Sequence, residues 1–176
     1  MGEDEFTAKT HFRTKRIGTN KIVRPANTNT YAAGDVISNI TDNHHFTFND
    51  VARGEYYSGS IDSAICHSST VETLLPDLEL WLFSKDIAKV ADNSAFGIVD
   101  EDMDALVGVV DFNVIDWKQG LAGASGTGNA MCYVPGLQIP FVTNDSLKLF
   151  GQLVVRNAYA PISGEVFKVF LTVSRD

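Results

Sequence analysis

The chain has 176 residues, of which 44% are hydrophobic and 20% are charged, a composition typical of one globular domain rather than of a disordered segment. Its formal net charge of −8 disfavours nucleic acid as the main ligand, because a polyanion repels an acidic body. Two cysteines are too few for a disulfide scaffold, and no apolar run approaches the roughly 18 residues that span a membrane.

The first 30 residues differ in composition from the remainder. They contain six of the 14 Lys and Arg residues against three acids, a net charge of +3, whereas residues 31–176 have 8 basic and 19 acidic residues, a net charge of −11. Residues 1–30 have too little apolar surface to order alone, so we predict a basic extended arm that is either mobile or ordered by a partner. The basic residues predicted to bind the partner are Lys9, Arg13, Lys15, Arg16, Lys21 and Arg24.

Beyond the arm, residues 31–176 have the pattern of a β-strand domain. Apolar and polar residues alternate with a period of two, most clearly in the last segment, where Phe167, Val169 and Leu171 share one face. Acids at residues 100–104 favour one or two helical turns, since carboxylates stabilise a helix N-terminus. Strands are predicted at residues 31–37, 46–48, 58–69, 78–83, 106–117, 131–142, 146–158 and 165–173.

These segments, with turn signals about every 8–15 residues, predict the fold class. We expect an all-β fold, a jelly-roll-like β-sandwich of eight or nine strands. The turn at residues 161–164, Pro-Ile-Ser-Gly, connects the last two strands. Cys66 and Cys132 each lie in an apolar context, which predicts free buried thiols.

The sequence contains no complete catalytic or metal-binding motif. Asp111 and Asp116 are the acids that could face a cleft, as glycoside hydrolysis requires, although solvated positions are the simpler interpretation. The adjacent pairs His44-His45 and Cys66-His67 lack the spacing of a zinc site. An Asp-x-Asp-x-Asp string at 100–104 is followed by Ala105, where a calcium loop needs glycine. We therefore predict no catalytic residue, no metal, no cofactor and no enzymatic activity.

Binding features are more prominent than catalytic ones. The basic arm suits an acidic protein surface better than nucleic acid, with part of its order gained by adding a strand to the sheet edge of a neighbour. Tyr56, Tyr57 and Trp117 flank predicted loops and are candidate interface anchors, with a core position as the alternative for each.

Several short strings resemble a group of small tailed-bacteriophage virion structural proteins, over residues 24–173. They are Arg24-Pro-Ala-Asn-Thr-Asn-Thr-Tyr-Ala-Ala-Gly-Asp-Val-Ile-Ser38, Val51-Ala-Arg-Gly54, Gly59-Ser-Ile-Asp-Ser63, Leu80-Trp-Leu-Phe83, Ala91-Asp-Asn-Ser-Ala-Phe96, Leu149-Phe-Gly-Gln-Leu-Val154 and Tyr159-Ala-Pro-Ile-Ser-Gly-Glu-Val-Phe167. Related small β-sandwich proteins serve as capsid cement, or decoration, proteins and are often trimeric. The resemblance implies a structural role and no chemistry.

The function expected from the resemblance is a capsid cement subunit on the capsid exterior. Its partners would be the major capsid protein and neighbouring copies of itself in a homotrimer, with no membrane involved. The opening residues Met-Gly-Glu-Asp-Glu lack the basic stretch of a signal peptide, so we expect synthesis in the host cytoplasm. Two alternatives stay open: a tail, baseplate or head-fibre adaptor of the same virion, and a glycan-binding jelly-roll module.

Overall fold

The computed structural model describes residues 13–42, 44–70, 75–120, 128–144 and 146–175. These residues form eleven strands, one short helix and one 3-10 turn, α1 (Asp100–Met103) and Val114–Asp116. The strands are β1 (Arg13–Gly18), β2 (Ile22–Val23), β3 (Val36–Ile37), β4 (Phe46–Phe48), β5 (Ser58–Ser68), β6 (Leu78–Phe83), β7 (Leu106–Phe112), β8 (Trp117–Gln119), β9 (Ala130–Val142), β10 (Leu149–Val155) and β11 (Val166–Arg175). No described helix is long and apolar enough to cross a membrane.

The strands form two antiparallel sheets that pack face to face. The large sheet has the order β1-β11-β5-β9-β8, with β2 also pairing β11; the small sheet has the order β3-β10-β6-β7, with β4 also pairing β10. β1 and β2 pair with the same side of β11, and β3 and β4 pair with the same side of β10, so each pair occupies one strand position in its sheet. The eleven described strands therefore occupy nine positions: eight principal ones and the short edge strand β8. Numbered along the chain, the eight principal positions have the orders 1-8-3-6 and 2-7-4-5, which is the double Greek key of a jelly roll.

The strand order and count confirm the predicted jelly-roll-like sandwich of eight or nine strands. The alternation predicted for the last strand is also correct, since Phe167, Val169, Leu171 and Val173 are all fully buried between the sheets. The predicted helical turns are present as α1. The segment predicted as one strand over 106–117 is divided, because the main chain leaves the sheet after Phe112 and the N–H of Val114 donates to the carboxylate of Asp77.

Residues 13–24 belong to the sandwich, which corrects the prediction of an arm ordered only by a partner. β1 pairs antiparallel with β11 from Arg13↔Arg175 to Gly18↔Phe170, and the side chains of Ile17 and Ile22 are buried in the core. The main-chain N–H of Arg24 donates to the carbonyl of Glu165 at 3.0 Å. Ordering this segment therefore requires no second subunit, because β11 supplies its hydrogen bonds and the core takes its apolar side chains.

The two sheets differ in what covers their outer faces. Residues 84–105 cross the outer face of the small sheet, where Ile87, Phe96 and Ile98 pack with Trp81 and Phe150. For that reason every residue of β10 is buried, on both faces of the strand. No described segment covers the outer face of the large sheet in the same way, and its outward positions are the surface considered next.

Candidate interaction surface

The outer face of the large sheet combines apolar and basic side chains contributed by five strands. Strand pairing aligns them in two rows: Gly18, Phe170, Ile65 and Tyr133 in the first, and Lys168, His67, Met131 and Lys118 in the second. Arg16 and Lys21 lie beside these rows, and both are exposed. We name this surface, formed by the two rows with Arg16 and Lys21, the basic face. With neighbouring strands about 4.8 Å apart, it extends about 19 Å from β1 to β8.

Charge is distributed unevenly between the two sheets. The strands of the large sheet contain six Lys or Arg residues and one acid, Asp62. The strands of the small sheet contain two acids, Glu79 and Asp111, and no Lys or Arg. The large sheet is therefore a local positive region in a protein whose formal net charge is −8.

Phe170 organises the cations at one edge of the basic face. The guanidinium carbon of Arg16 lies 4.4 Å from the centroid of the Phe170 ring, and the Lys168 ammonium nitrogen lies 4.9 Å from it. Both cations gain from the negative π-face of the ring. Glycine at position 18 leaves room for the ring, since a Cβ there would lie 3.0 Å from Phe170 Cε1.

Two shallow depressions lie on either side of His67. One, of about 360 Å³, is lined by Lys21, Lys168 and Phe170, and the other, of about 420 Å³, by Lys118 and Met131. Burial lowers the pKa of His67, and the charge of Lys168 lowers it further, while a hydrogen bond with Asn129 opposes the shift. Lys21, Lys168 and Lys118 thus lie around an imidazole whose lowered pKa keeps it mainly neutral at physiological pH.

The cations predicted for the arm do not form one partner-binding group. Arg16 and Lys21 lie on the basic face, whereas Lys15 pairs with Asp50 at 3.8 Å. Arg13 lies in β1 at the end of the sheet. Lys9 lies outside the described residues.

Arg24 is a fully buried structural residue, which corrects its assignment as a partner contact. Its Nε donates to the Tyr31 hydroxyl, its Nη1 donates to the carbonyl of Ile162 at 3.3 Å, and its Nη2 lies 4.0 Å from Asp92 Oδ2. Asp92 Oδ1 also accepts from the Tyr31 hydroxyl at 2.7 Å and from the N–H of Ser38 at 3.0 Å. Burial raises the pKa of the Tyr31 phenol. This cluster connects the end of β2 to two distant parts of the chain, at Asp92 and Ile162.

The three candidate anchor aromatics fall into two groups. Tyr56 and Tyr57 are 69% and 51% exposed and lie next to each other before β5, so both are available to a partner. Tyr56 has a φ of 60°, the left-handed region that bulky residues rarely adopt. Trp117 is buried, and its indole N–H donates to the carbonyl of Pro76 at 2.9 Å. Its assignment as an interface anchor is therefore wrong, because the strand alternation of β8 directs it into the core.

The two carboxylates considered for glycoside chemistry do not line one cleft. Asp111 lines a polar pocket of about 230 Å³ with Asp77, Arg156 and Asn157. Asp116 is exposed in the 3-10 turn, where its carboxylate accepts from Asn113, and it is not among the residues that line that pocket. Within the described residues, no group of three or more His, Cys, Asp or Glu side chains is placed to hold a metal ion.

Cys66 and Cys132 are directly opposite each other on β5 and β9, and both are buried. Burial raises the pKa of the Cys66 thiol well above its usual value, and burial also raises the pKa of the Cys132 thiol to about 12. Because the thiolate is the reactive form, we expect neither thiol to react with a disulfide reagent such as DTNB in the native protein at pH 8. Both should react in denaturant, and rapid reaction of the native protein would contradict the buried positions.

The burial of His45 predicts that the stability of the fold depends on pH. Its imidazole is 4% exposed, its Nε2 lies 3.0 Å from Asp86 Oδ1, and burial lowers its pKa below 6.5 although Asp86 opposes the shift. Between the folded pKa and 6.5 the unfolded chain binds more protons, so stability is complete above about pH 6.5 and falls as the pH decreases. The lowered pKa of His67 acts in the same direction.

Urea unfolding between about pH 5 and 8 tests this dependence. We expect the free energy of unfolding to decrease below about pH 6.5, and we expect His45→Gln to reduce the decrease. His44→Gln is the matched control, because His44 is an exposed neighbour. An equal pH dependence in His45→Gln and in the native sequence would exclude His45 as the source.

The side of the molecule opposite the basic face is acidic. Residues 84–105 contain six acids and two lysines. Lys85 pairs with Asp102 at 3.3 Å, whereas no described basic residue forms an ion pair with Asp100, Glu101 or Asp104. Val99 and Met103 are exposed beside these acids, at 56% and 44%. We name residues 99–104 the acidic patch.

Comparison with known proteins adds little to these observations. No protein-family model and no curated protein matches the chain. One solved structure with some similarity is that of a marine algae virus of the order Picornavirales, with 12% identity and a TM-score of 0.29 over 98% of this chain and 72% of the other. A TM-score this low does not establish a shared fold, so the jelly-roll assignment depends on the strand order alone.

Proposed function

We propose that this protein is a structural, non-enzymatic component of a virion, and specifically a capsid cement subunit that binds and stabilises the lattice of the major capsid protein from the capsid exterior. The observation that carries the proposal is the separation of charge on a jelly roll: an exposed basic face on one side and an acidic patch on the other. This distribution of charge gives the protein two binding surfaces of opposite sign. Each surface can contact a different neighbouring subunit in an assembly.

Binding to a lattice requires area and multiplicity rather than a deep pocket. A stable interface buries on the order of 1,600 Å² in total, and a face about 19 Å across that exposes Tyr133 can supply a share of that area. Tyr56 and Tyr57 are the candidate anchors for the capsid contact, because exposed aromatic side chains contribute disproportionately to binding energy. Several linked copies, such as a homotrimer, would raise the effective affinity through avidity.

The short strings that resemble tailed-bacteriophage virion proteins support the same role, and they fall within the jelly roll. The alternatives are a tail, baseplate or head-fibre adaptor of the virion and a glycan-binding module. Copy number separates the first alternative from cement, since cement covers a lattice in hundreds of copies and a tail part is present in tens or fewer.

Binding to purified empty capsids tests the proposal. We expect the protein to bind at high copy number and to raise the temperature at which the capsids disrupt. Tyr56→Ala/Tyr57→Ala should weaken binding without unfolding the protein, because both rings are exposed. Absence of binding to the capsids of the virus that encodes the protein, or a few copies per particle, would overturn the cement role.

The contribution of the N-terminal residues needs a specific truncation. Removal of the first 24 residues would delete β1 and β2 and damage the fold, so the informative variant lacks only residues 2–12. Weaker capsid binding by this variant would support a partner-binding role for Lys9 and its neighbours. Unchanged binding would overturn that role and leave the cement function standing.

A further inference from the structure

We propose that the basic face of one copy binds the acidic patch of a second copy, so that neighbouring subunits associate through unlike surfaces. The inference rests on the proposed function, in which copies of the protein assemble with one another. It names the two surfaces that would make this contact.

The basic face carries cations that can pair with acidic groups of a second copy. Among the described residues, Arg16, Lys21, Lys118 and Lys168 form no ion pair. Tyr133 and Met131 are 49% and 40% exposed between these cations. An exposed sheet face that mixes apolar side chains with one sign of charge is typical of a binding surface.

The acidic patch has the complementary chemistry. Asp100, Glu101 and Asp104 are exposed and lie beside the apolar side chains of Val99 and Met103. Asp102, by contrast, is already paired with Lys85 and is not needed for the contact. The patch therefore offers three carboxylates for the cations, and two apolar side chains that can pack against Tyr133 and Met131.

A second copy fits the basic face better than a nucleic acid does. The chain has a net charge of −8, which would repel a polyanion as it approached. The Phe170 ring, which could otherwise stack on a base, already has Arg16 and Lys168 positioned over it. Asp62 adds a negative charge to a strand of the same sheet.

The two surfaces lie on opposite sides of the sandwich, because the patch belongs to the segment that covers the small sheet. The contact is therefore heterologous: each copy uses its basic face toward one neighbour and its acidic patch toward the other. Because the two surfaces face opposite directions, this contact generates an open row of copies rather than the closed ring of a homotrimer.

Reciprocal charge reversal on the full-length chain tests the contact by sedimentation velocity over a concentration series. The face variant is Lys118→Glu/Lys168→Glu, and the patch variant is Asp100→Lys/Glu101→Lys. We expect the native protein to self-associate, and each variant alone to weaken association at least about tenfold, because like charges would then face each other. An equimolar mixture of the two variants should recover association, since each then meets a complementary surface.

The control is Lys148→Glu, which reverses an exposed lysine outside both surfaces and should leave association unchanged. Circular dichroism confirms that each variant folds. A native protein that stays monomeric at every concentration would overturn the inference. So would variants that associate like the native protein, a mixture that does not recover, or single-stranded DNA that binds the native protein and not the face variant.

Capsid binding is measured separately, so the two proposals can fail independently. A protein that binds capsids at high copy number without self-association overturns only the contact between copies. A protein that self-associates through these surfaces and does not bind capsids overturns only the cement function.

Discussion

Replacing Arg24 by methionine is expected to lower the free energy of unfolding by about 3–5 kcal/mol, because removal of one partner from a buried charge pair leaves the other uncompensated. The guanidinium is fully buried against Tyr31 and Asp92, and the Asp92 side chain is itself only 9% exposed. Methionine keeps the volume that packs against the Tyr31 ring, so the loss reports mainly the missing charge and hydrogen bonds. Urea unfolding followed by tryptophan fluorescence measures it.

Lys21→Met is the matched control for this prediction. It removes one positive charge three residues away, at an exposed position, and should change stability by no more than about 0.5 kcal/mol. The double variant Arg24→Met/Asp92→Asn should lose less than the sum of the two single losses, because the residues interact directly. A loss below about 1 kcal/mol for Arg24→Met would contradict the structural role and restore Arg24 as a candidate partner contact.

Replacing Ile17 by alanine should cost about 2–4 kcal/mol, the usual effect of deleting buried methyl groups from a packed core. Ile17 is 5% exposed and belongs to the main cluster of core residues. The prediction follows from the pairing of β1 with β11, which places the leading segment inside the sandwich. Chemical unfolding of the isolated protein measures this cost in the absence of any partner.

Arg16→Ala is the control, since Arg16 is the neighbouring residue on the same strand and points to the opposite face. It should change stability by at most about 1 kcal/mol, through loss of its contact with Phe170. If Ile17→Ala and Arg16→Ala had equal small effects, β1 would not contribute to the core of the isolated protein. The original expectation of a segment ordered only by a partner would then be correct for residues 13–18.

The sequence predicted the fold class correctly and the leading segment incorrectly. The alternation of Phe167, Val169 and Leu171 identifies a strand directly, because side chains of successive residues point to opposite faces. The segment at 13–24 carries only two buried apolar residues, Ile17 and Ile22, among polar neighbours. Composition alone indicated an exposed arm, although Ile17 and Ile22 were a signal that could have indicated short edge strands.

The buried positions of Trp117 and Arg24 could not be predicted from the sequence. Trp117 is the last residue of the strand predicted over 106–117, and only its pairing with Cys132 shows that it points inward. Arg24 is buried because Tyr31, Asp92 and the carbonyl of Ile162 surround it, and the last two lie far from it in the chain. Charged residues are usually solvated, so composition predicted an exposed position for Arg24, which is buried.

The amino-acid sequence determined the all-β class, the total charge and most strands beyond residue 30, because these depend on neighbouring residues and on composition. Only the tertiary structure decided how the charge is distributed. Arg16, Lys118 and Lys168 come from three different strands, and they share one face because β1, β11, β5, β9 and β8 lie side by side in that order. Strand order is set by long-range pairing between segments up to about the whole chain apart, and local sequence patterns carry no information about it.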